Sequence, residues 1–339
     1  MVSPNTALTL HVSRLLNGEP IVIADVGAAY GLPPHLQILA PLARLCLFEP
    51  NAMRAQELRA SQGERLHVFP VALSSNGGTR TLYVTNVPTG SSLLKPGSDA
   101  VDLTDPNYFF PVREERVETE RLMDVLAQGG IPRLDFIKAD VQGAELEVLQ
   151  GMGDSYCEKL LGAELEVGFP GAYVNQPGFA EIDLWLKQRG FELFDLRPAR
   201  LHRYMHGAFS YVPETVFGVR PESGGLSKRI WEADLVYFRR PEALLKAGDT
   251  AALRRLLALY CAYGFFVDAV HLSGRVIEQK LLSQDAGEEL QRMIVKWHRR
   301  AQYCVLDSPA WRRLIGPLGR VTAAARRLLC GRRAARWIE

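Results

Sequence analysis

The sequence predicts an α/β protein: a Rossmann-like, doubly wound, mostly parallel sheet, followed by a helical C-terminal extension. Three observations carry this reading. Short apolar runs alternate with helix-like segments as far as Arg240. A glycine-containing turn, Asp25-Val26-Gly27-Ala28-Ala29-Tyr30-Gly31, follows the first apolar run. Beyond Arg240 the strand-like runs stop.

The elements follow in order. Ile21 to Val26 is almost wholly apolar, as a strand buried on both faces of a parallel sheet must be. Leu45 to Phe48 is a second strand and leads into Glu49. His67 to Leu73 is a third, with Pro70 marking a bend or an edge. Thr79 to Thr85 reads as an antiparallel addition introduced by the Asn76-Gly77-Gly78 turn. Leu134 to Ala139, Gly162 to Val167, Phe191 to Leu196 and Ala233 to Phe238 complete the strands. Helices are expected over Ala52 to Ser61, Ala144 to Leu149 and Phe179 to Arg189, with Gly151 and Gly190 as stops. Asn86 to Glu120, rich in Pro, Gly, Ser and Asp, reads as a loop or lid. Pro198 to Glu232 shows no clear periodicity. After Pro241, helices are expected over Leu253 to Tyr263, Val276 to Leu282 and Glu288 to Tyr303. The expected organisation is a sheet domain over residues 1–240 and a helical extension over 241–339.

Composition excludes several classes. No apolar run is long enough for a transmembrane helix, and the first residues lack the pattern of a secretory leader. Five widely spaced cysteines suit reduced thiols and a cytoplasmic location, not a disulfide framework or a zinc site. A net charge of +2 gives no general argument for nucleic acid. The charge is nevertheless uneven: Ser308 to Ile338 holds eight arginines and no acid. This basic tail is a candidate contact for an acidic partner, although a solvated, frayed tail explains it as well.

The glycine turn is the strongest local signal. Glycine lets backbone approach a ligand closely, and the helix after such a turn offers N–H donors to an anion. The G-x-G-x-x-G fingerprint of dinucleotide sites is absent. The acid-x-Gly-x-x-x-Gly spacing instead favours a ligand with an amino-acid tail: Asp25 would face its ammonium and the turn amides its carboxylate. Glu49 ends the next strand, where a carboxylate accepts both hydroxyls of a ribose. The plainer alternative is that Gly27 and Gly31 only shape a strand-to-helix turn.

At this point the chain resembles a known family, the FkbM methyltransferases. The matching segments are DVGAAYG at Asp25–Gly31, FEPN at Phe48–Asn51, VALS at Val71–Ser74 and GSSLL at Gly90–Leu94. They continue with VETERLMDVL at Val117–Leu126, LDFIKADVQGAELEVLQG at Leu134–Gly151 and EADLVYFRR at Glu232–Arg240. The resemblance implies a class I methyltransferase fold, S-adenosylmethionine as cofactor, and transfer of a methyl group to a hydroxyl oxygen. It implies cofactor contacts at Asp25, Gly27, Ala28, Ala29, Tyr30, Gly31, Glu49, Pro50, Asn51, Val71 and Ala72. Two positions depart from the family's habit: Ala29 stands where it often has Asn, and Gln142 where it often has Glu.

Methyl transfer is an in-line displacement, so the protein aligns donor and acceptor and often takes a proton from the acceptor. Asp140, at the end of the fourth core strand, is the first candidate for base or substrate orienter; its alternative task is to cap the following helix. Lys138 lies on the same strand face and needs a partner if buried, either Asp140 or Glu164; equally, its head reaches solvent. Glu164 is the third catalytic candidate, and Glu166 shares its face; a solvated strand end explains the two equally well. Ser91 and Ser92, in the expected lid, are candidate substrate contacts for a polyol. His35 reads as a helix surface residue. His202 and His206 have helical spacing without further ligands, so no metal is expected. The expected acceptor is a small molecule or glycan hydroxyl, with no nucleic acid partner. Two other functions compete: a non-catalytic S-adenosylmethionine-binding scaffold, and a nicotinamide oxidoreductase, which the missing third glycine disfavours.

Overall fold

The computed structural model describes residues 12–28, 32–33, 35–61, 66–97, 110–169, 171–200 and 230–306. A seven-stranded sheet forms the frame. It contains β1 (Ile21–Val26), β2 (Ala43–Phe48), β3 (Leu66–Phe69), β7 (Phe136–Ala139), β8 (Gly162–Gly168), β9 (Phe191–Arg200) and β10 (Ile230–Arg239), in the order β3-β2-β1-β7-β8-β10-β9. β10 runs antiparallel to both its neighbours, and the other pairings are parallel. Order reverses between β1 and β7, which opens a crevice at their carboxyl ends. β1 is buried at every position, as its unbroken apolar run requires.

One face of the sheet is covered by α2 (Leu122–Gln128), α3 (Glu145–Gln150), α4 (Gly153–Cys157) and α5 (Phe179–Gln188). The opposite face carries Ile21, Ile23, Phe136, Val236 and Phe238. Those side chains form one core with Leu32, Leu36 and Leu39 and with the C-terminal helices. These helices are α6 (Glu242–Ala247), α7 (Thr250–Ala262), α8 (Phe266–Glu278) and α9 (Gln284–Leu306), while α1 (Ala52–Ser61) follows β2. The extension therefore supplies most of one layer of the sandwich. It is also pinned by charge: Arg255 Nε of α7 lies 2.9 Å from Asp135 Oδ1, and its Nη1 lies 2.8 Å from Glu19. Asp135 in turn accepts the N–H of Val22 at 2.7 Å.

Three expectations need correction. Asn86–Glu120 is not all loop: β6 (Pro111–Glu120) pairs antiparallel with β5 (Gly78–Thr85) and parallel with β4 (Ala72–Leu73) in a second, three-stranded sheet. Its side chains are largely exposed and mostly charged, so it lacks an apolar face to betray it. The expected strand His67–Leu73 is two strands in two sheets, broken at Pro70-Val71. The helix expected at Val276–Leu282 belongs to the end of α8, after which Lys280 turns left-handed (φ 56°). Among the described residues, no helix is long and apolar enough to cross a membrane. The basic tail and the His202–His206 pair lie outside the described residues.

Candidate active site

The carboxyl ends of β1, β2 and β7 surround a cavity of about 1050 Å³, roofed by the β5–β6 sheet. Gly27 makes the close approach possible. Its φ is +81°, and the N–H groups of Gly27 and Ala28 both reach the Phe48 carbonyl, at 3.1 and 3.2 Å. The turn thereby lies directly against the strand end at Asp140, whose N–H donates to Val26 O at 3.0 Å.

Sheet register places charge in rungs on one face. Asp25 aligns with Lys138, and Lys138 with Glu164; one rung on, Glu166 aligns with Asp234. Lys138 Nζ sits 3.3 Å from Asp140 Oδ2 and 3.7 Å from Asp25 Oδ1. Asp25 is fully buried, and among the described residues neither of its oxygens accepts a hydrogen bond. Burial pushes its pKa up to about 6, against the pull of Lys138. A buried carboxylate beside a glycine turn, with only the Lys138 ammonium at 3.7 Å to balance it, has acceptor capacity left for a cationic group. Glu49 is also buried, and burial raises it; its Oε1 accepts the N–H of Asn51 at 2.8 Å. The Asn51 side chain itself is occupied, accepting the N–H groups of Met53 and Arg54 at the start of α1.

Asp140 is held on several sides. Besides Lys138, its Oδ1 accepts from Gln142 Nε2 at 2.9 Å, and the same amide donates to Glu166 at 2.6 Å. The Gln142 carbonyl accepts from the Tyr173 hydroxyl at 3.0 Å. Burial works to raise Asp140, but Lys138 and hydrogen bonds from Glu166 and Gln142 hold it below the usual carboxylate range. Burial and the neighbouring Asp140 charge push Glu166 strongly up, and the two carboxyls titrate as a coupled pair. Glu232, on β10, is raised by burial and by Asp140 as well. Asp140 does not cap the next helix: α3 has Ala144 as its N-cap, with no side-chain cap. That region is instead tied by Glu145, which is buried and accepts the N–H groups of Val141 and Gly143 at 3.0 and 3.1 Å.

Most of the expected site residues meet here. Gly27, Glu49, Pro50, Asn51, Val71 and Ala72 line the cavity, as do Ser91, Ser92 and Asp140. Ala28 is buried behind the turn. Ala29, Tyr30 and Gly31 lie outside the described residues. Asp25 and Lys138 are not among the lining residues; Lys138 links Asp25 to Asp140. Ser92 is fully buried and works as an anchor, donating to Gln142 O at 2.7 Å. Glu164 is not among the lining residues. Its Oε2 takes His35 Nε2 at 2.9 Å and the Tyr263 hydroxyl at 2.6 Å. His35 is therefore a tethered turn residue, not a helix surface residue. The sequence reading passed over Trp231 and Glu232, which line the cavity; only the pairing of β10 with β8 brings them there.

Residues 25–193 match the model of the methyltransferase FkbM domain. The chain belongs to the FkbM methyltransferase family. Among curated relatives, the protein named 2-O-methyltransferase NoeI of Sinorhizobium fredii is 29% identical over 161 residues. That match covers 44% of this chain and 65% of NoeI, so it spans just under two thirds of that protein. Methyltransferase sdnD of Sordaria araneosa is 29% identical over 203 residues, covering 52% of this chain and 76% of sdnD. Solved structures are more distant: M. capricolum TrmK, in complex with S-adenosyl-homocysteine, shares 9% identity over 85% of this chain and 95% of its own, with a TM-score of 0.30.

Proposed function

We propose that the chain transfers a methyl group from S-adenosylmethionine to a hydroxyl of a sugar or another small polyhydroxylated acceptor. The observation that carries this reading is the arrangement of carboxylates along one cavity. Glu49 lies at one end, and Asp140, Glu166 and Glu232 lie beyond it; Asp25, which does not line the cavity, is buried at the end of β1 just before the Gly27 turn and is tied to Asp140 through Lys138. Glu49 suits a ribose diol, Asp25 an ammonium, and Gly27 leaves room for a carboxylate against backbone. The cavity volume exceeds what a nucleoside-sized ligand fills, leaving space for a small acceptor.

S-adenosylmethionine, when bound, supplies an electrophilic methyl carbon, whose C–S bond breaks as a C–O bond to the acceptor forms. Asp140, kept ionised by Lys138 and Gln142, accepts the hydrogen bond of the acceptor hydroxyl and so aims its oxygen. Glu232, raised by burial, is a fitting final home for the released proton. The name of NoeI, a 2-O-methyltransferase, supports hydroxyl oxygen as the acceptor atom.

The test is calorimetry followed by isotope transfer. The pure chain should bind S-adenosylmethionine and not NAD, and label from its methyl group should appear on a polyol acceptor as an ether. Glu49→Ala should lose roughly one to two decades of donor affinity, the worth of hydrogen bonds to a charged acceptor. Tight NAD binding without S-adenosylmethionine binding would reject the reading.

A further inference from the structure

Tyr173 is not among the residues that line the cavity, and the reading above gives it no task. It is buried, and its hydroxyl stands between two acceptors, the Gly90 carbonyl at 2.8 Å and the Gln142 side-chain oxygen at 3.0 Å. The Gln142 amide carries two N–H donors and one oxygen. Its nitrogen donates to Asp140 Oδ1 at 2.9 Å and to Glu166 Oε2 at 2.6 Å, and its oxygen accepts from Tyr173. Gln142 lines the cavity beside both acids, yet its amide has no donor left for a ligand. It acts as a brace between the two carboxyls.

The brace is held from both ends. The two acids require the N–H end of the amide to face them, since the oxygen end would set oxygen against oxygen. Tyr173 holds the opposite end at the depth where one nitrogen reaches both acids. Under the brace the Gln142 backbone is left-handed (φ 57°), a conformation that persists in a non-glycine residue where its surroundings hold it. Ser92 supplies part of that hold, since its hydroxyl donates to the Gln142 main-chain carbonyl at 2.7 Å. Tyr173 is fixed in turn. The N–H of Val174 donates to Lys95 O and that of Gly97 to Ala172 O, both at 2.8 Å, and Leu94 and Trp231 pack against Ala172 and Tyr173.

We propose that Tyr173 is a positioning residue of the acceptor site: through the Gln142 amide it sets the spacing of Asp140 and Glu166, and through Gly90 it ties that pair to the loop carrying Ser91 and Ser92. That the braced pair serves an acceptor rests on the methyl-transfer reading above; the brace itself does not.

The test uses the full chain with isotope-labelled carboxyl carbons in its Asp and Glu side chains. Tyr173→Phe keeps the ring and removes the hydroxyl. At fixed pH the NMR signals of Asp140 and Glu166 should move in the direction that Gln142→Met moves them, while Glu49 at the donor end stays in place. Adding Tyr173→Phe to Gln142→Met should move them no further, a coupling that loosening elsewhere does not produce. Calorimetric affinity for S-adenosylhomocysteine should stay within about threefold of wild type. With a polyol acceptor found by isotope transfer, kcat should fall about fivefold, the worth of one neutral hydrogen bond. Unmoved Asp140 and Glu166 signals in folded Tyr173→Phe overturn the proposal and leave the donor reading standing, as does wild-type kcat. If Tyr173→Phe does not fold, Gln142→Met tests the link from the cavity side. The hydroxyl-bearing ring carbon of Tyr173 should then move, and an unmoved signal overturns the proposal. A wild-type chain without affinity for S-adenosylhomocysteine overturns the methyl-transfer reading, while the Asp140 and Glu166 signals still decide the brace.

Discussion

Gly27 lies so close to Asp140 that a β-carbon built on it would fall 2.0 Å from the Asp140 carbonyl oxygen. The obstacle is backbone, so no side-chain rotation relieves it. The φ of +81° adds a second penalty for any L-residue. Gly27→Ala should therefore cost roughly 2–5 kcal/mol of stability and push apart the two strand ends that form the cavity. Urea unfolding and donor calorimetry on the variant read both effects. A variant of wild-type stability would mean that the turn and the strand end do not meet this closely.

A second prediction concerns pH. Burial raises Asp25 to about 6 and Glu145 to about 7, both above their ordinary values. Their folded forms hold protons that the unfolded chain has released, so they stabilise the fold fully at low pH. That contribution is lost as pH rises from about 4 to 7, up to roughly 3 kcal/mol for each group. Glu166 and Glu232 act in the same direction. Asp140 and Glu164 are lowered and act oppositely, but only at more acid pH. The free protein should unfold at lower urea at pH 8 than at pH 5. Glu145→Gln can still accept the N–H groups of Val141 and Gly143, and it should flatten the difference. Equal slopes in wild type and variant would remove Glu145 from the account.

The frame was legible in the sequence because strands buried on both faces must be apolar. β1, β2 and β7 announce themselves in this way, and so do the acids Asp25, Glu49 and Asp140 at or just past their ends, whereas β8 carries two glutamates within its run. β6 did not, because its stability comes from pairing with β5 and its side chains are mostly charged and exposed. Glu49, Asp140 and the glycine turn were readable because each ends a recognisable strand. The seat of Gln142 was not. Its left-handed backbone (φ 57°) and its grip on both Asp140 and Glu166 depend on strands far apart in sequence. A glutamate there would set a third acid between two others, so the glutamine is physically suited to its neighbours. The roles of His35 and Glu232 follow from packing that no local pattern encodes.

Truncation after Arg240 is the third test. The sheet face of Ile21, Ile23, Phe136, Val236 and Phe238 is covered by α6 to α9. Uncovering it exposes several large apolar side chains, each worth about 1.5–3 kcal/mol in burial. It also strands Asp135 without Arg255. The shortened chain should aggregate or elute as large species on size exclusion. A monomeric truncation that unfolds cooperatively would show that the sheet domain stands alone.

The last prediction is Asp140→Asn. Asparagine is nearly isosteric and would serve almost as well as a helix cap, but Asp140 caps nothing, since α3 starts from Ala144. What the substitution removes is the charge that Lys138 and the Gln142 amide surround. Lys138 keeps Asp25 as a partner, so the donor end should survive. Donor affinity should therefore stay within about threefold of wild type, while turnover with an acceptor found by isotope transfer falls at least about a hundredfold. A further consequence separates loss of charge from loss of shape. Glu166 is raised in part by the Asp140 charge beside it. Once that charge is gone, the Glu166 carboxyl should ionise at lower pH, visible as a shifted carboxyl band in infrared difference spectra against Glu166→Gln. A folded Asp140→Asn protein that turns over at near wild-type rate would end the role of Asp140 in aiming the hydroxyl and shift attention to Glu232.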